Sequence, residues 1–263
     1  MNFQAFIDDL EKRHLADLRF SEVTRALRAL SSAYVERRES ALADHKALDG
    51  AGKRAAFALY YSPLHFLLVQ HIVKEIAAAI SPGTVVDLGC GTGVAGAAIA
   101  LSTTPPSRVL GFDTHPWTID EARFTYKAFG LDSDVRRAHV ARVRFPKDTS
   151  IVVAAFVVNE LNEHDRTELL KNLIGNRPFD KLRAVPSEVE GREHGTWNRR
   201  VLIVEPISQR ISPWWNEWAA EFARVGGRAD TWKARIDVPP FVRRLAKASG
   251  LRPEMLTARS LFV

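Results

Sequence analysis

Apolar and polar positions follow two rhythms along this chain, and the change falls near residue 84. Over residues 2–80 the apolar positions recur at helical spacing. Phe3, Phe6, Ile7 and Leu10 fall on one face, and Val23, Leu27, Leu30 and Tyr34 on another. "LDGAGKR" (48–54) breaks the pattern, and "YYSPLHFLLVQHIVKEI" (60–76) reads as a new helix. Ser62 is its expected N-cap and Pro63 its first helical residue. From residue 84, short apolar runs alternate with amphipathic stretches. "TVVDL", "RVLGFD", "VRRAHV" (135–140), "SIVVAAFVV" (150–158) and "RVLIVEP" read as strands. "TIDEARFTYKAFG", "EHDRTELLKNLIG" and "SPWWNEWAAEFARVGG" read as helices, the second closed by Gly175. The chain finishes on "ADTWKARI", a short helix "PPFVRRLAKASG" and "LTARSLFV".

Strands alternating with helices over 84–207 predict an α/β fold with a doubly wound, mostly parallel sheet. The last two strands have a different rhythm and are expected as an antiparallel edge pair. The N-terminal region, 1–80, is expected as a helical cap and 81–263 as the main domain. Residues 176–200 are polar and irregular, with two prolines, and are expected as a surface insertion.

Composition narrows the picture only a little. Among 263 residues there is one cysteine, Cys90, so a disulfide framework, a cysteine-rich zinc site and a four-cysteine cluster are excluded within one chain. No metal is expected. No run of about 18 apolar residues occurs and the first residues lack a secretory pattern, so a cytoplasmic protein without a membrane span is expected. The net charge of +6 and pI ≈ 9.6 permit an anionic partner such as RNA and equally suit plain solubility.

The candidate chemistry lies in "VVDLGCGTGVAG" (85–96), which has two frames. "GTGVAG" fits the dinucleotide fingerprint; "DLGCGTG" fits the D-x-G-x-G-x-G opening of an S-adenosylmethionine (SAM) site. Asp87, within the strand, is awkward beside an anionic pyrophosphate and sensible beside an ammonium and a sulfonium. It can also serve by accepting backbone N–H groups of the loop. Asp113 ends the second strand, 20 residues after Gly93, where a carboxylate can take two ribose hydroxyls. A helix cap before "THPWTIDEA" is its other use.

"VVDLGCGTG", "GFD", "VVNEL" and "VLIVEP", in this order and followed by a terminal strand pair, resemble class I SAM-dependent methyltransferases. That likeness covers about residues 60–263 and implies a Rossmann-like sheet of seven strands with the last antiparallel. It implies SAM as cofactor, contacted by Asp87, Gly89, Cys90, Gly91, Gly93, Asp113 and Thr114, with Tyr61 and Asn159 closing the site. A closer resemblance, carried by "RAAFALYYSPLHFLLVQHI", "AAFVVNEL", "VLIVEP" and the C-terminal stretch, is to the small-ribosomal-subunit methyltransferase-like family. It implies rRNA or the small ribosomal subunit as partner. This chain departs from that family in reading "YYSPLHF" at the usual "R-x-P-A-T-Y" and in lacking the cluster cysteines.

Methyl transfer needs alignment more than a strong base. Cys90 sits in the glycine loop, which excludes it as the nucleophile of C5 methylation. "NELNE" stands where exocyclic-amine enzymes carry a polar-Pro-Pro-aromatic motif. Glu160, with Asn159 and His164, is expected to orient the acceptor or take its proton, and Glu205 is similarly placed. Each could instead serve a helix start or a helix surface. Tyr60, Tyr61, His65 and the tryptophans of "PWWNEW" are expected either to reach the site or to pack in the core. The third strand offers no acid for an adenine. The expected activity is SAM-dependent methyl transfer. The alternatives are a non-catalytic factor that binds the small subunit or its RNA, and a small-molecule methyltransferase.

Overall fold

The computed structural model describes residues 2–36, 48–76, 79–175, 199–208 and 212–263. The expected insertion lies outside these, apart from Arg199 and Arg200, and so does the side chain of Tyr34. Two helices, α1 (Phe3–His14) and α2 (Phe20–Glu36), open the chain. A continuous helix follows, made of α3 (Ala51–Ala56), a π-helical segment (Phe57–Tyr61) and α4 (Ser62–Ile76). The alternating part is β1 (Thr84–Leu88), α5 (Val94–Ala100), β2 (Arg108–Asp113), α6 (Pro116–Ala128), β3 (Ser133–Arg137), β4 (Thr149–Ala155), α7 (Glu163–Ile174), β5 (Arg200–Glu205) and α8 (Trp215–Arg224). Then come β6 (Arg228–Arg235), α9 (Pro240–Ser249) and β7 (Met255–Phe262).

The seven strands form one sheet in the order β3-β2-β1-β4-β5-β7-β6. Only β7 runs antiparallel to its neighbours, β5 and β6. The expected edge pair is therefore present, with β7 inserted and β6 outermost. The strands bury alternate residues on opposite faces, as a covered sheet requires. Val85, Ile151, Val153, Leu202 and Val204 join the core under α4, α5 and the N-terminal helices. Val86, Leu88, Val152, Ala154, Val201 and Ile203 join the core under α7 and α8. The chain order reverses between β1 and β4, which opens a crevice at their carboxyl ends.

The N-terminal helices share the first of these cores. Phe3 stacks on Phe66 with centroids 4.7 Å apart, and Phe6 meets Phe129 at 4.8 Å. Arg13 ion-pairs with the buried Glu121 of α6, and His14 Nε2 hydrogen-bonds its other carboxylate oxygen at 3.0 Å. α2 touches α9, where the Ser249 hydroxyl donates to Thr24 O at 3.5 Å.

Three local expectations are corrected. Ser62 is no N-cap: it lies in helical backbone inside a continuous helix, and its N–H bonds Phe57 O, five residues back. The cause is Pro63, which has no N–H to give the preceding turn and whose ring crowds it, so the helix widens there. The third strand runs over 133–137, because Ala138 N–H makes the last bond, to Asp113 O, and Val140 then opens a short 3-10 turn. The fourth strand stops at Ala155, since Phe156 takes φ +61°, which no extended residue adopts. Gly175 closes α7 as expected, in right-handed helical backbone.

Helix Ala51–Ile76 has 26 residues and is long and apolar enough to cross a membrane by composition, but 67% of its most apolar stretch is buried within the fold. It is the central helix of the first core.

Candidate active site

A cavity of about 690 Å³ runs along the carboxyl ends of β2, β1, β4 and β5 and under the N-terminal helices. Of the residues expected to bind cofactor, Asp87, Gly89, Cys90, Gly91, Asp113, Thr114, Tyr61 and Asn159 line it, and so does Glu160. Gly93 and His164 do not. Gly93 caps α5 at φ +79°, and an added Cβ would meet the Tyr126 ring at 3.0 Å, so it serves the packing of α6. His164 is exposed on the first turn of α7, away from the cavity wall.

The glycine loop is held by two acids. Asp87 is buried; its Oδ2 accepts Gly96 N–H and the Tyr126 hydroxyl, both at 2.9 Å. Burial pushes its carboxyl up to about 7, despite those donors and with help from Asp113. Asp113 Oδ2 accepts Gly91 N–H, and its Oδ1 accepts His115 N–H, each at 2.9 Å. Structural and ligand roles coexist here, because each carboxylate oxygen keeps a second lone pair. Gly91 has φ +53°, and its Cβ position faces open space, with only Gly89 O near, at 4.0 Å. Gly89 has φ +60°, and a Cβ there would lie 2.3 Å from Val157 Cγ2.

Opposite the loop, Glu205 is fully buried. It accepts Val158 N–H at 2.8 Å on Oε1 and the Asn159 amide on Oε2. Trp214 Nε1 donates to Asn159 Oδ1 at 3.0 Å. This clamp uses Asn159 as a brace for the turn after β4 and leaves Glu160, the next residue, facing the cavity. Burial raises Glu205 to about 8. Glu160 is raised to about 7, first by desolvation and then by Asp113. Its side chain is exposed on the cavity wall. Trp214, Trp215 and Trp218 pack in the second core.

Three cavity residues went unread in the sequence. His139 follows β3, and its Nδ1 is buried without a partner. Its signal was there, as the one polar side chain in the "AHV" where an adenine-binding acid was sought. Phe156 carries strained backbone at a strand end, the kind of outlier that marks sites. His115 caps α6 through Nδ1 and also lines the cavity.

Residues 85–175 match the family model of a methyltransferase domain. That match and the seven-stranded sheet give the chain a class I methyltransferase fold. The glycine loop of this methyltransferase fold is therefore read in the D-x-G-x-G-x-G frame. Over 121 residues the chain is 31% identical to ribosomal RNA large subunit methyltransferase G of Pectobacterium atrosepticum, an alignment covering 46% of this chain. The chain spans about a quarter (26%) of that curated relative's length. Among solved structures it is similar to mitomycin 7-O-methyltransferase MmcR (TM-score 0.50, 13% identity, 98% of this chain and 72% of that one). It is also similar to a candidate O-methyltransferase of Nostoc punctiforme (TM-score 0.51, 14% identity, 92% of this chain and 68% of that one). These two likenesses speak to the fold.

The lining fits SAM. Gly91 leaves room where a side chain would intrude, Asp113 offers acceptor capacity for hydroxyls, and His139 Nδ1 is free for a hydrogen bond to a base. Asp87, Asp113 and Glu160 give the cavity an acidic lining, which suits a cationic ligand.

Proposed function

We propose that this chain transfers a methyl group from SAM to an acceptor that enters between the N-terminal helices and Glu160. The observation that carries the reading is electrostatic. Asp87, Asp113 and Glu160 line one cavity, and among the described residues no ion pair reaches any of them. A cavity with that charge favours a cationic ligand. SAM supplies a methyl group on a sulfonium, which is already an activated leaving group. The glycine loop and Asp113 would hold it, Asp87 would face its positive charge, and His139 would reach its base. The Glu205–Asn159–Trp214 clamp would fix the position of Glu160, and Glu160 would orient the acceptor and receive its proton.

Calorimetric titration with SAM, S-adenosylhomocysteine and NADH tests this. Binding of the first two and not the third is expected. Asp113→Ala should weaken SAM binding by about 5- to 150-fold, since it removes a ribose acceptor and strands Gly91 N–H, a loss of about 1–3 kcal/mol. Normal SAM affinity in Asp113→Ala would remove the site assignment.

An RNA acceptor is the second reading. Its support is the 31% identity to an enzyme named for large-subunit ribosomal RNA. It requires affinity for RNA that falls steeply with salt. RNA binding without SAM binding or turnover would favour a non-catalytic factor instead.

A further inference from the structure

We infer that the acceptor is a small, uncharged, planar aromatic molecule bearing a hydroxyl group, seated in the part of the cavity over β4, β5 and β7. This rests on the methyl-transfer reading above. Sheet order separates two regions of the cavity. Asp113 and the glycine loop lie at the ends of β2 and β1, while Phe156, Pro206 and Leu256 lie past β4, past β5 and on β7. The second region is walled by Tyr60, Leu64, Leu68, Phe156, Met255 and Leu256.

That wall is flat as well as apolar. His65 stacks on Phe156 with centroids 4.0 Å apart and planes 19° from parallel. Burial pushes His65 down to about 4, so the stack carries no charge at neutral pH. Flat apolar walls of this kind suit an aromatic ring in offset or edge contact.

Charge argues against a polynucleotide. Arg252 is the one lysine or arginine on the cavity wall among the described residues, against the acids Asp87, Asp113 and Glu160; Glu205, raised to about 8, holds its proton at neutral pH. Phosphates entering here would meet like charge, whereas nucleic-acid sites gather cations. Two exposed apolar side chains also stand at or beside the cavity wall. Ile207 (46% exposed) and Met255 (45%) are the two large apolar side chains exposed among the described residues. Met255 lines the cavity, and Ile207 follows Pro206, which also lines it. Apolar groups left open around a concave site mark ligand entry.

Glu160 selects the hydroxyl. The acceptor O–H bond breaks and its proton passes to the Glu160 carboxylate. The oxygen forms a bond to the methyl carbon, and the electrons of the carbon–sulfur bond return to sulfur, leaving a neutral thioether.

The test is direct binding, read by the fluorescence of 2-naphthol, beside SAM calorimetry and a single-stranded RNA in the same buffer. The full chain should bind SAM and 2-naphthol. Leu256→Trp, which fills the second region, should weaken 2-naphthol at least tenfold and leave SAM unchanged. Thr257→Trp, at an exposed strand position lining the same region, gives the same reading if Leu256→Trp does not fold. SAM binding with RNA bound and 2-naphthol unbound overturns the proposal in favour of RNA. Bound 2-naphthol that neither tryptophan displaces overturns it as well. If 2-naphthol binds and is displaced while SAM does not bind, the acceptor site stands and the donor reading falls.

Discussion

Glu205 ends β5 and Glu160 lies in the turn after the adjacent β4; both are raised above the usual carboxylate range, yet their surroundings divide their work. Glu205 has both oxygens engaged by Val158 N–H and the Asn159 amide, so it holds the turn in place. Glu160 has no such donor and faces the cavity, and its carboxyl, at about 7, suits proton transfer near neutrality. Glu160→Gln should lower kcat at saturating SAM by about 10²-fold or more if Glu160 acts as base, beyond any loss of SAM affinity from the missing charge. The wild-type rate should climb as pH rises through about 7, because the working form is the deprotonated one, and the variant's profile should be flat there. A rate measured against pH with any accepted substrate checks both. At this scale the sequence was legible in part. Asp87 and Asp113 lie where the motif puts them, and each also ties down the glycine loop. Gly93 fits the same motif, but the contact that requires it is the Tyr126 ring on α6, which no local pattern announces. His164 was drawn in by its nearness to Glu160 in sequence, and the helical turn carries it outward.

Two glycines show what the β1–α5 connection demands of its residues. At Gly89 an added methyl would lie inside Val157, so Gly89→Ala must displace the turn that carries Glu160. We expect a stability loss of about 1–3 kcal/mol from overpacking on top of about 1–2 kcal/mol of left-handed strain at φ +60°, read as a lower midpoint in denaturant. At Gly91 the methyl meets nothing but Gly89 O at 4.0 Å. Gly91→Ala should cost only the strain of left-handed backbone, about 1–2 kcal/mol, and weaken SAM binding by filling its space. The reverse ranking, with Gly91 the costlier to the fold, would contradict the geometry. The elements themselves were the most readable level. The alternation from β1 to α8 was plain because period-two and helical stretches change over at turn residues. The π segment was not, because "SP" before an apolar stretch is also how a helix begins. Only the upstream partner, Phe57 O taking Ser62 N–H, tells a start from a widened turn. The Glu205–Asn159–Trp214 clamp joins β5, the turn after β4 and the start of α8, a pairing across the fold that periodicity does not carry.

For the whole molecule, the buried acids make stability depend on pH. Asp87 is raised from 3.8 to about 7 and Glu205 from 4.5 to about 8. The folded chain therefore keeps protons that the unfolded chain has released. The stabilisation they give is complete below the unfolded values and is lost as pH rises through about 7 to 8. Denaturation midpoints should fall across that range. Added SAM should oppose the fall increasingly as the carboxylates ionise, since its positive charge favours their charged forms. A midpoint that rises from neutral to alkaline pH would contradict the burial of these groups. The joining of the N-terminal helices to the sheet through one core was only half visible. Helical faces could be counted in the sequence, but their partners on α6 and α9 lie more than a hundred residues away. The widened turn at Phe57–Tyr61 bears on that joining. A π turn holds one residue more than the α turn it replaces. Deleting that residue would leave an unbroken helix, yet it would swing everything upstream by about 100° around the axis. α3 and the packing of α2 against it would then come round to the wrong side. This single extra residue sets the phase between the N-terminal helices and the cavity wall, so the helix works as a key cut to one angle.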